Sequence, residues 1–204
     1  MTIPKIIVQT SRQPPKQYVV DMIRERSPGW EYQHYTDDDI MLFFAENPID
    51  EFPNVVAKFY TFNYGEHRAD LFRYYYLYVK GGVYIDSDAM IQTNIENIVN
   101  DYDFFTVNSS YFPGTVFQGF IGAQPKNDLI YKALKDIYNI PKSDLVREFH
   151  ILCKNLYTFI NQDTSTMNKV LFQEIYGNDD EAHVVDKNNN VVAIHYHARK
   201  IIPQ

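Results

Sequence analysis

Cysteine is almost absent from these 204 residues: Cys153 stands alone. No internal disulfide can form, so cross-link stabilisation of the kind used in oxidising compartments is excluded. Zinc sites built on paired cysteines are excluded with it. Basic residues are few: 19 Lys and Arg face 26 Asp and Glu, giving a net charge of −7. A nucleic-acid binder usually carries a basic face, so no nucleic-acid partner is expected. No apolar run approaches the length of a membrane span. The opening MTIPKIIVQTSRQPPK is too short in its apolar part for a secretion signal, and Pro4 breaks it. The expectation is a soluble, cytoplasmic chain. Also missing are the patterns GxxxxGK[ST], GxGxxG and GxSxG. Repeats, low-complexity tracts and linkers are missing too. One domain over residues 1–204 is the simplest organisation, whether or not it belongs to a longer protein.

Aromatic rings are plentiful, with 17 Tyr and 14 Phe. They can fill a core or line a groove that stacks sugar rings. KIIVQT (5–10) is apolar on successive positions, which predicts a strand covered on both faces. PPKQYVVDMIRER opens with proline and is closed by SPG, which predicts a helix. WEYQHYT (30–36) reads as strand, and Thr36 with Asp39 forms a capping box for the next helix. Residues 53–80 read as helix in two pieces divided near Gly65, followed by strands at GGVYID, DFFTVN and TVFQGFIGA. KNDLIYKALKDIY, SDLVREFHILCKNLYTFI and STMNKVLFQEIY read as helices. AHVVDKNNNVVAIHYHA reads as two strands around an Asn-rich turn, a C-terminal β-hairpin. Alternating strands and helices predict an α/β fold with a mainly parallel central sheet flanked by helices.

The stretch EHRADLFRYYYLYVKGGVYIDSDAM (66–90) carries the chemistry. On a helix, Asp70 and Arg73 share a face. Gly81-Gly82 stops that helix, and the strand after it ends in Asp86-Ser87-Asp88. In open α/β sheets, ligands bind at the carboxyl ends of strands. In an extended segment the two carboxylates point the same way and repel, which a divalent cation relieves. All-oxygen ligation favours Mg²⁺ or Mn²⁺, usually completed by substrate phosphates. A solvated acidic turn also looks like this. VYIDSDAM is similar as well to the strand and D-x-D of haloacid-dehalogenase-like phosphohydrolases, although that motif normally opens the chain. A non-catalytic carbohydrate-binding module with aromatic walls is a third reading.

ADLFRYYYLYVKGGVYIDSD, together with the opening IPKIIVQT, closely resembles the signature of glycosyltransferase family 32. That family includes fungal mannosyltransferases and bacterial capsule enzymes, and is similar over this stretch to the large clostridial glucosylating toxins and to small viral sugar transferases. The resemblance implies a GT-A-like fold, a nucleotide-sugar donor with UDP first and GDP next, a divalent metal, a glycan or other hydroxyl acceptor, and retention at the anomeric carbon. It implies that Asp88 ligates metal and that Asp86 contacts ribose and sugar, partly through the metal's shell. It implies that Asp70 accepts sugar hydroxyls and that Arg73 binds the donor. His195 is the expected third ligand, with His197 as substitute beside Arg199-Lys200. Gln118 and Gly119 fall on a strand under the donor sugar, where an amide can meet the sugar or the developing oxocarbenium ion. Gln9 and Thr10 end the first strand, where base or ribose would sit. His67 is expected at the surface.

Overall fold

The computed structural model describes residues 2–177, 181–197 and 202–203. Its elements run β1 (Ile6–Thr10), α1 (Gln17–Arg26), β2 (Glu31–Tyr35), α2 (Asp37–Glu46), α3 (Val55–Thr61), α4 (Gly65–Lys80), β3 (Gly82–Ile85), β4 (Ala89–Ile91), α5 (Ile95–Val99), β5 (Phe104–Asn108), β6 (Val116–Ala123), α6 (Asp128–Asn139), α7 (Lys142–Arg147), α8 (Ile151–Gln162), β7 (Lys169–Tyr176), β8 (Ala182–Val185) and β9 (Val191–His195). The strands form one sheet in the order β2-β1-β3-β6-β5-β7-β8-β9-β4. Alternation along each strand feeds two cores. Val8, Tyr84 and Phe104 pack toward α2, α3, α4, α6 and α8, while Ile7, Val83 and Phe105 pack toward α1 and α5.

The sheet is mixed, which corrects the mainly parallel expectation. β1 pairs parallel with β2 and β3, and β5 with β7. The other neighbours, β3–β6, β5–β6, β7–β8, β8–β9 and β9–β4, are antiparallel. Helices cross over between β1 and β2, between β2 and β3, and again between β6 and β7, where α6, α7 and α8 intervene and β7 joins β5 in parallel. The links β5–β6, β7–β8 and β8–β9 carry no helix, and such direct return makes antiparallel neighbours. β3 lies near one side of the order and β4 at the far edge, yet only residues 86–88 join them. The sheet must therefore curl until the two ends meet at that turn. The Tyr196 N–H donates to the Asp88 carbonyl at 2.8 Å, closing the seam.

Local rules account for most boundaries. Thr36 and Asp39 form the capping box of α2. Gly81 and Gly82 both take positive φ, +69° and +106°, and a Cβ on Gly81 would lie 2.7 Å from Pro125. Only glycine ends α4 and enters β3 in so little space. Two local expectations fail, and two short elements were not foreseen. STMNKVLFQEIY forms β7 rather than a helix, because its β-branched and aromatic residues bond to β5 on one side and β8 on the other. The expected helix through SDLVREFHILCKNLYTFI breaks at Phe149-His150 into α7 and α8. β4 and α5 escaped the sequence reading; Asn94 caps α5 by accepting from the Glu96 N–H at 2.9 Å.

Candidate functional site

α4 crosses beneath the carboxyl end of β3 and is buried on most sides. Tyr74, Tyr75, Tyr76 and Tyr84 are core residues, and their hydroxyls find partners in Gln118, Asn47, Gln33 and Thr10. Much of the tyrosine excess therefore serves the core. Above α4 lies a cavity of about 640 Å³, lined by Thr10, Asp70, Arg73, Asp86, Asp88, Gln118, Gly119, His195 and His197 among others. All the expected site residues except Gln9 thus meet in one place.

Arg73 forms the floor. Its Nη1 donates to the Gln118 carbonyl at 2.6 Å and its Nη2 to Asp86 Oδ1 at 3.1 Å. Asp70 Oδ1 lies 3.3 Å from the same Nη2. The guanidinium rests 4.4 Å above the Tyr84 ring, a cation–π contact that fixes its plane. Burial pushes the Asp70 carboxyl up to about 7; Arg73 opposes that shift and Asp86 adds to it. Burial likewise pushes the Cys153 thiol at the cavity wall up to about 12, so it stays protonated and is no nucleophile.

Asp86-Ser87-Asp88 is a turn rather than an extended segment: the Ala89 N–H donates to the Asp86 carbonyl at 3.0 Å. The two carboxylates therefore take different partners. Asp86 turns down to Arg73, and Asp88 Oδ1 faces His195 Nε2 at 3.8 Å. On the other edge of that ring, His195 Nδ1 faces Glu174 Oε1, also at 3.8 Å. Phe117 stacks on its face at 4.1 Å. Burial disfavours charge on the ring, but Asp88 and Glu174 outweigh it and hold His195 up to about 9.

Asp86, Asp88 and His195 do not form a ready cage. Among the described residues, no three His, Cys, Asp or Glu side chains converge to hold an ion. The physical reason is that Asp86 is committed to Arg73. The donor chemistry still fits a hard cation that shares its shell with phosphate oxygens, for which one or two protein ligands suffice. Among the described residues, Glu66, Asp70, Asp86, Asp88 and Glu174 line the cavity beside Arg73 and the His195 ring. With carboxylates in excess among these groups, an added cation favours the entry of an anionic ligand.

Other expected residues play parts the sequence did not specify. Gln9 is buried and does not line the cavity. Its Nε2 donates to the Asp86 carbonyl at 3.2 Å and its Oε1 accepts from Tyr32 at 2.8 Å, so it braces the turn from behind instead of meeting base or ribose. Gln118 uses its amide internally, donating to Asp70 Oδ1 at 2.6 Å and accepting from Tyr74. Gly119 makes room for Asp86: an added Cβ would lie 2.2 Å from Asp86 Oδ2. His67, expected at the surface, is buried against Phe149 with ring centroids 4.8 Å apart. His197 lines the cavity 5.4 Å from the His195 ring. Arg199-Lys200 lie outside the described residues. Glu174 was missed because its segment read as helix. In a strand it shares parity with Phe172, and a carboxylate at a core-facing position was the available signal.

Residues 15–105 match the family described as "Glycosyltransferase sugar-binding region containing DXD motif". The chain is 26% identical over 121 residues to Inositol phosphoceramide mannosyltransferase 1 of Schizosaccharomyces pombe, covering 58% of this chain and 36% of that one. It is 29% identical over 148 residues to Mannosyl phosphorylinositol ceramide synthase SUR1 of Saccharomyces cerevisiae, covering 69% of this chain and 36% of that one. The chain spans about a third of the length of these curated relatives. Its fold is similar to that of a solved structure titled PaToxG Glycosyltransferase, with a TM-score of 0.54 at 13% identity over 78% of this chain and 69% of that one. Residues 15–105 are thus similar to a DXD-containing glycosyltransferase region, the relatives align with the chain at 26–29% identity, and the solved structure resembles it in fold. None of its described helices is long and apolar enough to cross a membrane.

Proposed function

We propose that this domain moves a hexose from a nucleoside-diphosphate sugar to a hydroxyl acceptor, with retention at the anomeric carbon and with Mn²⁺ or Mg²⁺ at the D-x-D turn. The observation that carries this reading is the buried Arg73, held between Asp70 and Asp86 at the base of the cavity. A guanidinium this enclosed acts mainly through its fixed charge and its grip on Asp86, in a low-dielectric site where such preorganised charge is most effective. Asp86 keeps Oδ2 for donor hydroxyls, and Asp70 accepts a sugar hydroxyl in its ionised form. Asp88 and His195 would hold the cation, whose chemistry is to offset the charge that builds on the leaving diphosphate. Thr10 stands where β1 opens onto the cavity and marks the nucleoside side. The exposed rings of Phe112 and Phe149 at the mouth offer faces to an acceptor glycan. With retention, the acceptor hydroxyl attacks from the face that the diphosphate leaves, and a departing phosphate oxygen takes its proton.

One relative is named a mannosyltransferase and the other a mannosyl phosphorylinositol ceramide synthase, so GDP-mannose is the first donor to test, ahead of the UDP-sugars that the motif alone favours. The experiment incubates the protein with GDP-mannose and a panel of UDP-sugars, with Mn²⁺ or EDTA, with and without an alkyl glycoside. Product nucleotide is measured by chromatography and anomeric configuration by NMR. The reading requires metal-dependent release of nucleoside diphosphate and a retained linkage. Cleavage of aryl phosphates without attack on any nucleotide sugar would support a phosphohydrolase instead; binding of glycans without turnover would support a carbohydrate-binding module.

A further inference from the structure

The carboxylate behind His195 has a role that the sequence did not suggest. Glu174 is buried on β7, and its two oxygens face different ways. Oε2 accepts from the Ser109 hydroxyl at 2.8 Å and from the Ser110 N–H at 3.1 Å. Those two donors come from the loop after β5 and fix the carboxylate plane. Oε1 is thereby aimed at His195 Nδ1, at 3.8 Å. On the far edge of the ring, Nε2 faces Asp88. Phe117 covers one face at 4.1 Å with the planes 16° apart, and the His197 ring lies 5.4 Å away. The imidazole is flanked by a carboxylate at each edge, at ion-pair rather than hydrogen-bond distance, and covered on one face; the loop after β5, β6, β7 and the D-x-D turn all contribute to the clamp.

We propose that Glu174 is the positioning residue of the site: it fixes the His195 ring so that the Nε2 lone pair is presented beside Asp88 to a hard divalent cation. The inference rests on the reading of Asp88 and His195 as the cation's protein ligands. The physical reason is that a ring nitrogen whose proton is held by a carboxylate leaves the opposite nitrogen oriented and more basic. Glu174 does not itself touch the cation or the donor.

The discriminating substitution is Glu174→Gln. Two donors, Ser109 Oγ–H and Ser110 N–H, demand an acceptor at the Oε2 position, so the amide carbonyl stays there. The NH₂ group then faces His195 Nδ1 and donates to it. That forces the proton onto Nε2 and removes the lone pair from the Asp88 side. Mn²⁺ binding by the protein alone, read as loss of the free-ion EPR signal, should weaken by about 10–100-fold. Circular dichroism should stay unchanged. His195→Ala should weaken binding similarly, and Glu174→Gln added to His195→Ala should cost nothing more, because the two act as one unit. A role confined to anchoring the Ser109 loop predicts parent-like affinity in Glu174→Gln, or losses that add in the double variant; either result overturns the assignment while leaving Asp88 and His195 as ligands. Parent-like affinity in His195→Ala, or no Mn²⁺ binding by the parent, overturns the ligand reading and this inference together. Should Glu174→Gln fail to fold, the unaltered protein gives the answer. With Mg²⁺ and GDP bound, long-range ¹H–¹⁵N NMR should find the His195 proton on Nδ1, and a proton on Nε2 would refute the clamp.

Discussion

Gly119→Ala tests the geometry of the site through a single carbon atom. The backbone at Gly119 is not in the left-handed region, so alanine brings no conformational strain. Its Cβ would lie 2.2 Å from Asp86 Oδ2 and 2.4 Å from Phe117 Cζ. Real contacts of this kind do not fall below 3.0 Å, so Asp86 must withdraw by about 0.8 Å at least. It cannot do so freely, because Oδ1 is held by Arg73 at 3.1 Å and the backbone carbonyl by Gln9 at 3.2 Å. Phe117 is equally confined by its stack on His195. Overpacking of this kind costs about 1–3 kcal/mol of stability. Displacing a reacting group by an ångström costs about 100-fold in rate. Expected, therefore, are a fall of several degrees in Tm and a fall of roughly two orders of magnitude in Mn²⁺-dependent donor turnover at saturating donor. Chromatographic release of nucleoside diphosphate and a thermal melt suffice. Turnover within a factor of two of the parent, in a folded variant, would show that the position of Asp86 does not matter to the reaction.

Asp88→Asn preserves shape and removes a hard anionic ligand, so the fold should stay intact and turnover should lose its response to added Mn²⁺. Arg73→Lys keeps the charge but not the planar fork that spans Gln118, Asp86 and Asp70. At least a tenfold drop in kcat is expected there, checked by steady-state kinetics. The Asp70 carboxyl, raised mainly by burial to about 7, keeps its proton in the folded state where the unfolded chain has lost it. Its contribution to stability is full below about pH 4, falls as the pH rises, and is gone above about pH 7, a swing of up to about 4 kcal/mol. Urea midpoints at pH 5 and pH 8 should show this slope, and Asp70→Asn should flatten it.

The sequence revealed those parts of the molecule whose causes are local. The capping box at Thr36, the split of the 53–80 helix at Gly65, and the double-glycine passage from α4 to β3 follow from short-range rules, and all are present. The spacing of Asp70, Arg73 and Asp86 placed them together because one helix and its following strand carry all three. What the sequence hid depends on distant chain. Strand β7 looked helical until β5 and β8 supplied its ladders. The mixed sheet follows from the order in which the second half returns, which no periodicity encodes. Gln9 and Gln118 looked like ligand-binding amides because they end or line strands near the site; their actual partners, Tyr32, Tyr74 and the Asp86 carbonyl, come from elsewhere in the fold. The meaning of Glu174 was hidden for the same reason, since it depends on Ser109 and His195, contributed by the loop after β5 and by β9.

The central claim is that a nucleotide sugar and a divalent cation bind together over the Arg73 floor. Isothermal titration of GDP-mannose and UDP-sugars into the protein, in Mn²⁺ and again in EDTA, tests this most directly. The account predicts saturable binding of at least one of these donors in Mn²⁺, weakened at least tenfold both by EDTA and by Asp88→Asn. Equal affinity in EDTA, or full affinity retained by Asp88→Asn, would contradict it.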